Sequence, residues 1–136
     1  MGRILAIDYG RRRCGVAVTD PLQIVANSLP VVRTCELLNF IIKYCAEETV
    51  DRIIVGEPRQ MNGEPSESMK YIKPFLGQLR KKLPTMQIEM VDERFTSVIA
   101  HREMLAAGFK KSDRQRKGLA DEMSAVIILN TWLESR

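Results

Sequence analysis

The connections between the first three extended runs of this chain are too short to cross a sheet, and that limits the fold more than any other feature. Residues 3–9 (Arg-Ile-Leu-Ala-Ile-Asp-Tyr) form an apolar run that closes on Asp and Gly, as a buried strand does. Residues 14–19 and roughly 23–32 read as two further strands, with Gly10 and the Asp20-Pro21 pair marking the turns. A parallel connection needs about a dozen residues or more, so these three strands form an antiparallel meander.

After residue 33 the period changes. Leu37, Leu38, Ile41, Ile42 and Cys45 recur at helical spacing, with Thr34 placed to serve as N-cap. Arg52-Ile-Ile-Val-Gly is a short buried strand, and Ser66 to Lys82 reads as a helix that Pro74 should kink or interrupt. Gln87 to Val91 is a fifth strand. Thr96 to Ala107 is helical and closed by Gly108, and Leu119 to Leu133 is a last amphipathic helix. The order βββαβαβαα joins a meander to two right-handed helical crossovers. Its outcome is an α/β fold, a mixed five-stranded sheet flanked by helices. At 136 residues the expectation is one domain, residues 1–136, large enough to fold without a disulfide or metal staple.

Cys14, Cys35 and Cys45 are odd in number and lack CxxC spacing, which suits buried, reduced thiols in the cytoplasm. The amino-terminal run is too short for a signal peptide, and no apolar stretch is long enough to span a bilayer. Net charge is +4, and its distribution says more than its sum. Arg11, Arg12 and Arg13 form one basic cluster; Lys110, Lys111, Arg114, Arg116 and Lys117 form another, diluted by Asp113. Either cluster can be a solvated loop or a phosphate-binding surface.

Three acids stand at places where such folds do chemistry. Asp8 ends the first strand and Glu93 follows the fifth, and ligand sites of open sheets gather outside the carboxyl ends of parallel strands. Asp121 falls in the first turn of the last helix. Singly, each has an ordinary role: a turn opener, a cap, a partner for the helix dipole. Together they are a set of oxygen ligands for magnesium or manganese, ions that activate water and stabilise a leaving oxygen in phosphodiester cleavage.

The motifs carry a resemblance. Asp8-Tyr-Gly-Arg-Arg-Arg-Cys-Gly-Val-Ala-Val, Val55-Gly-Glu-Pro with Asn62-Gly63, Asp92-Glu-Arg-Phe-Thr-Ser and Asp121-Glu-Met-Ser-Ala-Val-Ile-Ile-Leu resemble, in order, the motifs of the YqgF/RuvX family of pre-16S rRNA nucleases. The resemblance spans nearly the whole chain. It implies a ribonuclease-H-like fold and a metal-dependent nuclease that matures the 5′ end of 16S ribosomal RNA, with Holliday-junction resolvases among its relatives. It assigns Asp8, Glu93 and Asp121 as catalytic metal ligands, with Mg2+ or Mn2+ as cofactor. Arg12 stands where the family often has Lys, and Ser124 matches a small hydroxyl residue that suits packing. Glu57, at the carboxyl end of the fourth strand, departs from the pattern, since the family commonly has Leu there; it is either a further ligand or a surface variation on a loop, and the latter is favoured because relatives lack the acid. Arg11, Arg12, Arg13, Arg94 and the second basic cluster are the expected substrate-binding residues. The expected partner is nucleic acid, precursor rRNA ahead of branched DNA, with no membrane and with a homodimer left open.

Two other classes fit less well. Asp-x-Gly on a strand–turn–strand also resembles the phosphate loop of actin-like ATPases, but those clasp nucleotide between two lobes and this chain has no Gly-Lys-Ser/Thr sequence. A non-catalytic RNA-binding module would use the arginines alone, yet no strand carries the aromatic pattern that stacks bases. His101 has no partner at ligand spacing, the methionines read as core or loop filling, and Trp132 reads as packing the last helix on the sheet.

Overall fold

A computed structural model describes residues 2–57, 69–92 and 117–135. They form β1 (Arg3–Asp8), β2 (Arg13–Thr19), β3 (Ala26–Arg33), α1 (Thr34–Glu47), β4 (Val50–Glu57), α2 (Met69–Lys82), β5 (Gln87–Asp92) and α3 (Lys117–Ser135). The five strands make one sheet in the order β3-β2-β1-β4-β5. β1 pairs antiparallel with β2, and β2 with β3, as the short connections require. β4 lies parallel to β1 and β5 parallel to β4. The helix expected over residues 96–107 lies outside the described residues.

Alternation along the strands splits the core in two. Leu5 and Ile7 of β1, Val16 and Val18 of β2, and Ile53 and Val55 of β4 face α1 and α2, which contribute Leu37, Ile41, Ile72, Phe75, Leu76 and Leu79. Ile4, Ala6, Ala17 and Ile54 face α3, which contributes Ala125, Ile128 and Leu129. β1 is therefore covered on both faces, which is why its sequence is continuously apolar rather than alternating. The alanines on the α3 side lower that face of the sheet and let the helix backbone approach.

Three expectations are corrected in detail. Thr34 is not the N-cap: it is the first helical residue, the cap position belongs to Arg33, and no side chain caps the helix. The Thr34 hydroxyl is committed instead to the Gly10 carbonyl, 2.7 Å away. β3 begins at Ala26 rather than near residue 23, because the preceding loop is closed by Asp20. Its carboxylate accepts the backbone N–H groups of Ile24 and Val25, each at 2.8 Å, and of Leu22 at 3.2 Å, and these bonds hold it below the usual carboxylate range. Gln23 stands within that loop at φ 59°, a left-handed conformation held by its buried side chain, whose amide donates to the Gly2 carbonyl and to Asp51. Finally, the thiols are not uniformly buried: Cys14 is buried, Cys45 half-buried and Cys35 exposed on the first turn of α1.

Pro74 sits inside α2 without ending it. Ile72, Phe75, Leu76 and Leu79 are buried on one side of this helix, and that packing outweighs the backbone bond the proline cannot donate. Trp132 does anchor α3 as expected: its indole N–H donates to Glu89 Oε2 at 2.7 Å, and the Arg52 guanidinium lies over its ring while pairing with Glu89.

Candidate metal and nucleic-acid site

Because β1, β4 and β5 run in the same direction, their carboxyl ends share one edge of the sheet. β1 is the strand where the chain switches from antiparallel neighbours on one side to parallel neighbours on the other, the position at which open sheets hold ligands. Asp8 closes β1 there, half-buried and paired in register with Gly15 of β2. Glu57 is the last residue of β4 and lies opposite Asp92, the last residue of β5. It is thus the half-buried end of a strand, at the same edge as Asp8, and not part of a loop. Glu93 follows Asp92 directly and lies outside the described residues, as do Arg94, Lys110, Lys111, Arg114 and Arg116.

The turn from Asp8 into β2 is built tightly. A Cβ at Gly10 would lie 2.2 Å from the Arg13 carbonyl oxygen, so only glycine fits this closure. The Cys14 thiol accepts the Gly10 N–H at 3.4 Å and lies 3.7 Å from the Gly10 carbonyl. Thr34 completes the clamp from the start of α1: its backbone N–H donates to the Arg12 carbonyl at 3.0 Å, and its hydroxyl reaches Gly10. The ring of Tyr9 packs on Phe75 of α2 with centroids 5.1 Å apart. Burial of the Tyr9 phenol, with the Cys14 thiol nearby, raises it above the ordinary tyrosine value. Held this way, the turn exposes Arg11 and Arg12 and leaves Arg13 half-buried as β2 begins.

α3 packs across the face of the sheet formed by Ile4, Ala6, Ala17 and Ile54. Its Trp132 end meets Arg52 and Glu89, at the amino-end side of β4 and β5. Position 121 lies eleven residues earlier, about 16 Å along the helix axis. Lys117 opens the same helix. Among the described residues no three His, Cys, Asp or Glu side chains gather as a metal site. A cavity of about 400 Å³ lies at the opposite edge, lined by Ile4, Gln23, Asp51, Arg52, Gln87 and Trp132, away from Asp8.

No local pattern in the sequence marks Cys14 and Thr34 as supports of the arginine turn, nor Tyr71, whose ring carries Arg11 at 4.6 Å. Gly10 reads in sequence as a turn residue, and the shortness of the segment between Asp8 and Cys14 is the one signal that this turn is tight.

Comparison with known proteins agrees with this geometry. The family model described as "RuvX: Holliday junction resolvase" matches residues 2–135. A protein of Phocaeicola vulgatus named "Putative pre-16S rRNA nuclease" is 62% identical over 100% of this chain and 98% of its own. Proteins of the same name from Bacteroides thetaiotaomicron and Porphyromonas gingivalis are 62% and 53% identical, covering 100% and 99% of this chain and 99% and 98% of theirs. Among solved structures, Thermus thermophilus RuvC in complex with a Holliday junction substrate aligns with a TM-score of 0.60 at 14% identity, over 99% of this chain and 96% of that one. That likeness establishes the fold as ribonuclease-H-like. With the family model spanning all but the terminal residues and relatives at such identity, the chain belongs to the RuvX family.

Proposed function

We propose that this protein is a divalent-metal-dependent nuclease that hydrolyses phosphodiester bonds during 5′-end maturation of precursor 16S ribosomal RNA. The observation that carries the reading is the position of Asp8. It closes the switch-point strand at the edge shared by three parallel strand ends, and the clamped arginine turn begins directly after it. The names of the relatives support the substrate.

The donor set suits a hard cation. Asp8, Glu93 and Asp121 all offer carboxylate oxygen, the donor that Mg2+ and Mn2+ prefer, and Asp8 is only half-buried, as a hydrated ion requires. In this reading Asp8 is held by strand pairing, Glu93 follows the end of β5, and Asp121 comes from the sheet-packed helix. A bound divalent ion supplies Lewis-acid polarisation of the phosphate and of the attacking water. Water attacks phosphorus, the bond to the leaving sugar oxygen breaks, and that oxygen takes up a proton. Arg11, Arg12 and Arg13 bind the flanking phosphates through paired hydrogen bonds, so the scissile group is carried past Asp8. Glu57 shares the edge with Asp8, but the reading gives it no ligand role.

Three cysteines, odd in number and without CxxC spacing, suit a cytoplasmic setting. No described helix is long and apolar enough to cross a membrane. The family description favours branched DNA as a second substrate. Incubating the protein with precursor rRNA and with a four-way DNA junction, each with manganese or with chelator, tests both readings. Manganese-dependent cleavage of the RNA is expected. Asp8→Asn, Glu93→Gln and Asp121→Asn should each lower it by at least about a hundred-fold without unfolding the protein. Undiminished cleavage by any one of these variants removes that residue from the site.

A further inference from the structure

We propose that Tyr71, together with Arg11 and Lys70, is a stacking platform for an unpaired base of a single-stranded nucleic acid. Tyr71 lies in the first turn of α2 and keeps 36% of its surface exposed. The Arg11 guanidinium lies over its ring at 4.6 Å from the centroid, and the Lys70 ammonium lies over the same ring at 5.4 Å. An exposed aromatic ring carrying two cations combines the two elements that bind single strands without sequence preference, a π-face for a base and positive charge for the backbone.

The platform is rigid and correctly placed. Ile72 and Phe75, on either side of Pro74, are buried in the core, so this part of α2 is fixed to the sheet. Phe75 also packs on Tyr9, the residue after Asp8. Arg11 is three residues from Asp8, so their Cα atoms are at most about 11 Å apart. A base resting on the Arg11–Tyr71 stack therefore belongs to a nucleotide close to any phosphate at Asp8. The guanidinium is planar, and Arg11 is exposed, so the base can lie against it as well as against the ring. Only an unpaired nucleotide can present its face in this way, which commits the site to single-stranded or splayed substrate and not to uninterrupted duplex.

The inference rests on the nuclease reading for its ligand class, and binding tests it separately from cleavage. Labelled single-stranded RNA of about twelve nucleotides and a blunt duplex of the same sequence are titrated with the full chain in chelator, and anisotropy is read. Tyr71→Ala should weaken single-strand binding about ten-fold or more, while Tyr71→Phe stays within about two-fold of wild type and duplex binding hardly changes. Replacing bases one at a time by abasic sites should reveal a position that weakens wild-type binding but has no further effect in Tyr71→Ala. Equal binding by Tyr71→Ala, a loss shared by the duplex, or abasic effects identical in both proteins would overturn the platform. Failure of the wild type to cleave any substrate with manganese would instead remove the nuclease reading and leave these binding results standing.

Discussion

Thr34 joins two parts of the chain that the sequence separates by twenty-four residues, binding the Gly10 carbonyl through its hydroxyl and the Arg12 carbonyl through its backbone N–H. Replacing it with Val keeps the volume and the backbone bond but removes the hydroxyl donor. One such bond contributes about 1 kcal/mol, so Thr34→Val should lower stability only by about that amount in urea unfolding. Its effect on catalysis should be larger in proportion, because the turn it holds presents the arginines beside Asp8. An error of about 1 Å in such positioning can cost about a hundred-fold in rate. Steady-state kinetics at two salt concentrations would check this: a variant that loses stability but keeps wild-type kcat and KM would show that the clamp is only structural. Cys14 contributes to the same clamp from a fully buried position, which makes its thiol a packing and hydrogen-bonding group.

Among the elements, α3 meets the sheet through small residues. Ala125 is fully buried on the face that meets Ala6 and Ala17, and three small residues at one contact leave no room for a longer side chain. Ala125→Leu should therefore lift the helix, costing about 1–3 kcal/mol in the urea midpoint, and should lower cleavage because Asp121 belongs to the same helix. A variant with unchanged midpoint and activity would mean that the sheet face has slack. This helix was visible in the sequence through its apolar spacing, and β1 through its unbroken apolar run. Asp8 stood out for the same reason, a carboxylate ending a run that must be buried on both sides. The supports of the site did not stand out. Thr34 precedes a helix, where a hydroxyl usually caps, and only the folded meander brings Gly10 close enough to compete for it. Tyr71 lies among apolar residues at helical spacing, where an aromatic ring reads as core; the partner that marks it as a surface group, Arg11, is sixty residues away. Long-range partners of this kind have no local pattern.

Along the chain, the basic charge falls in two clusters, each beside an acid. The first basic cluster follows Asp8, and the second precedes Asp121, with Lys117 opening α3. Binding of single strands should therefore weaken with salt, by about 0.7 log unit per phosphate contact for each decade. Replacing Lys110, Lys111, Arg114, Arg116 and Lys117 by Ala should flatten that slope while changing the rate at saturating substrate far less; an unchanged slope would make this cluster a solvated loop. The sheet itself has a further consequence. β1 is hydrogen-bonded on both sides and packed on both faces, so it cannot breathe by fraying as an edge strand can. Asp8 thus ends a central strand, paired with Gly15 of β2, rather than an edge strand. The carboxylate therefore keeps its place when the edge strands β3 and β5 open locally, and a polymer can be admitted and released without disturbing it.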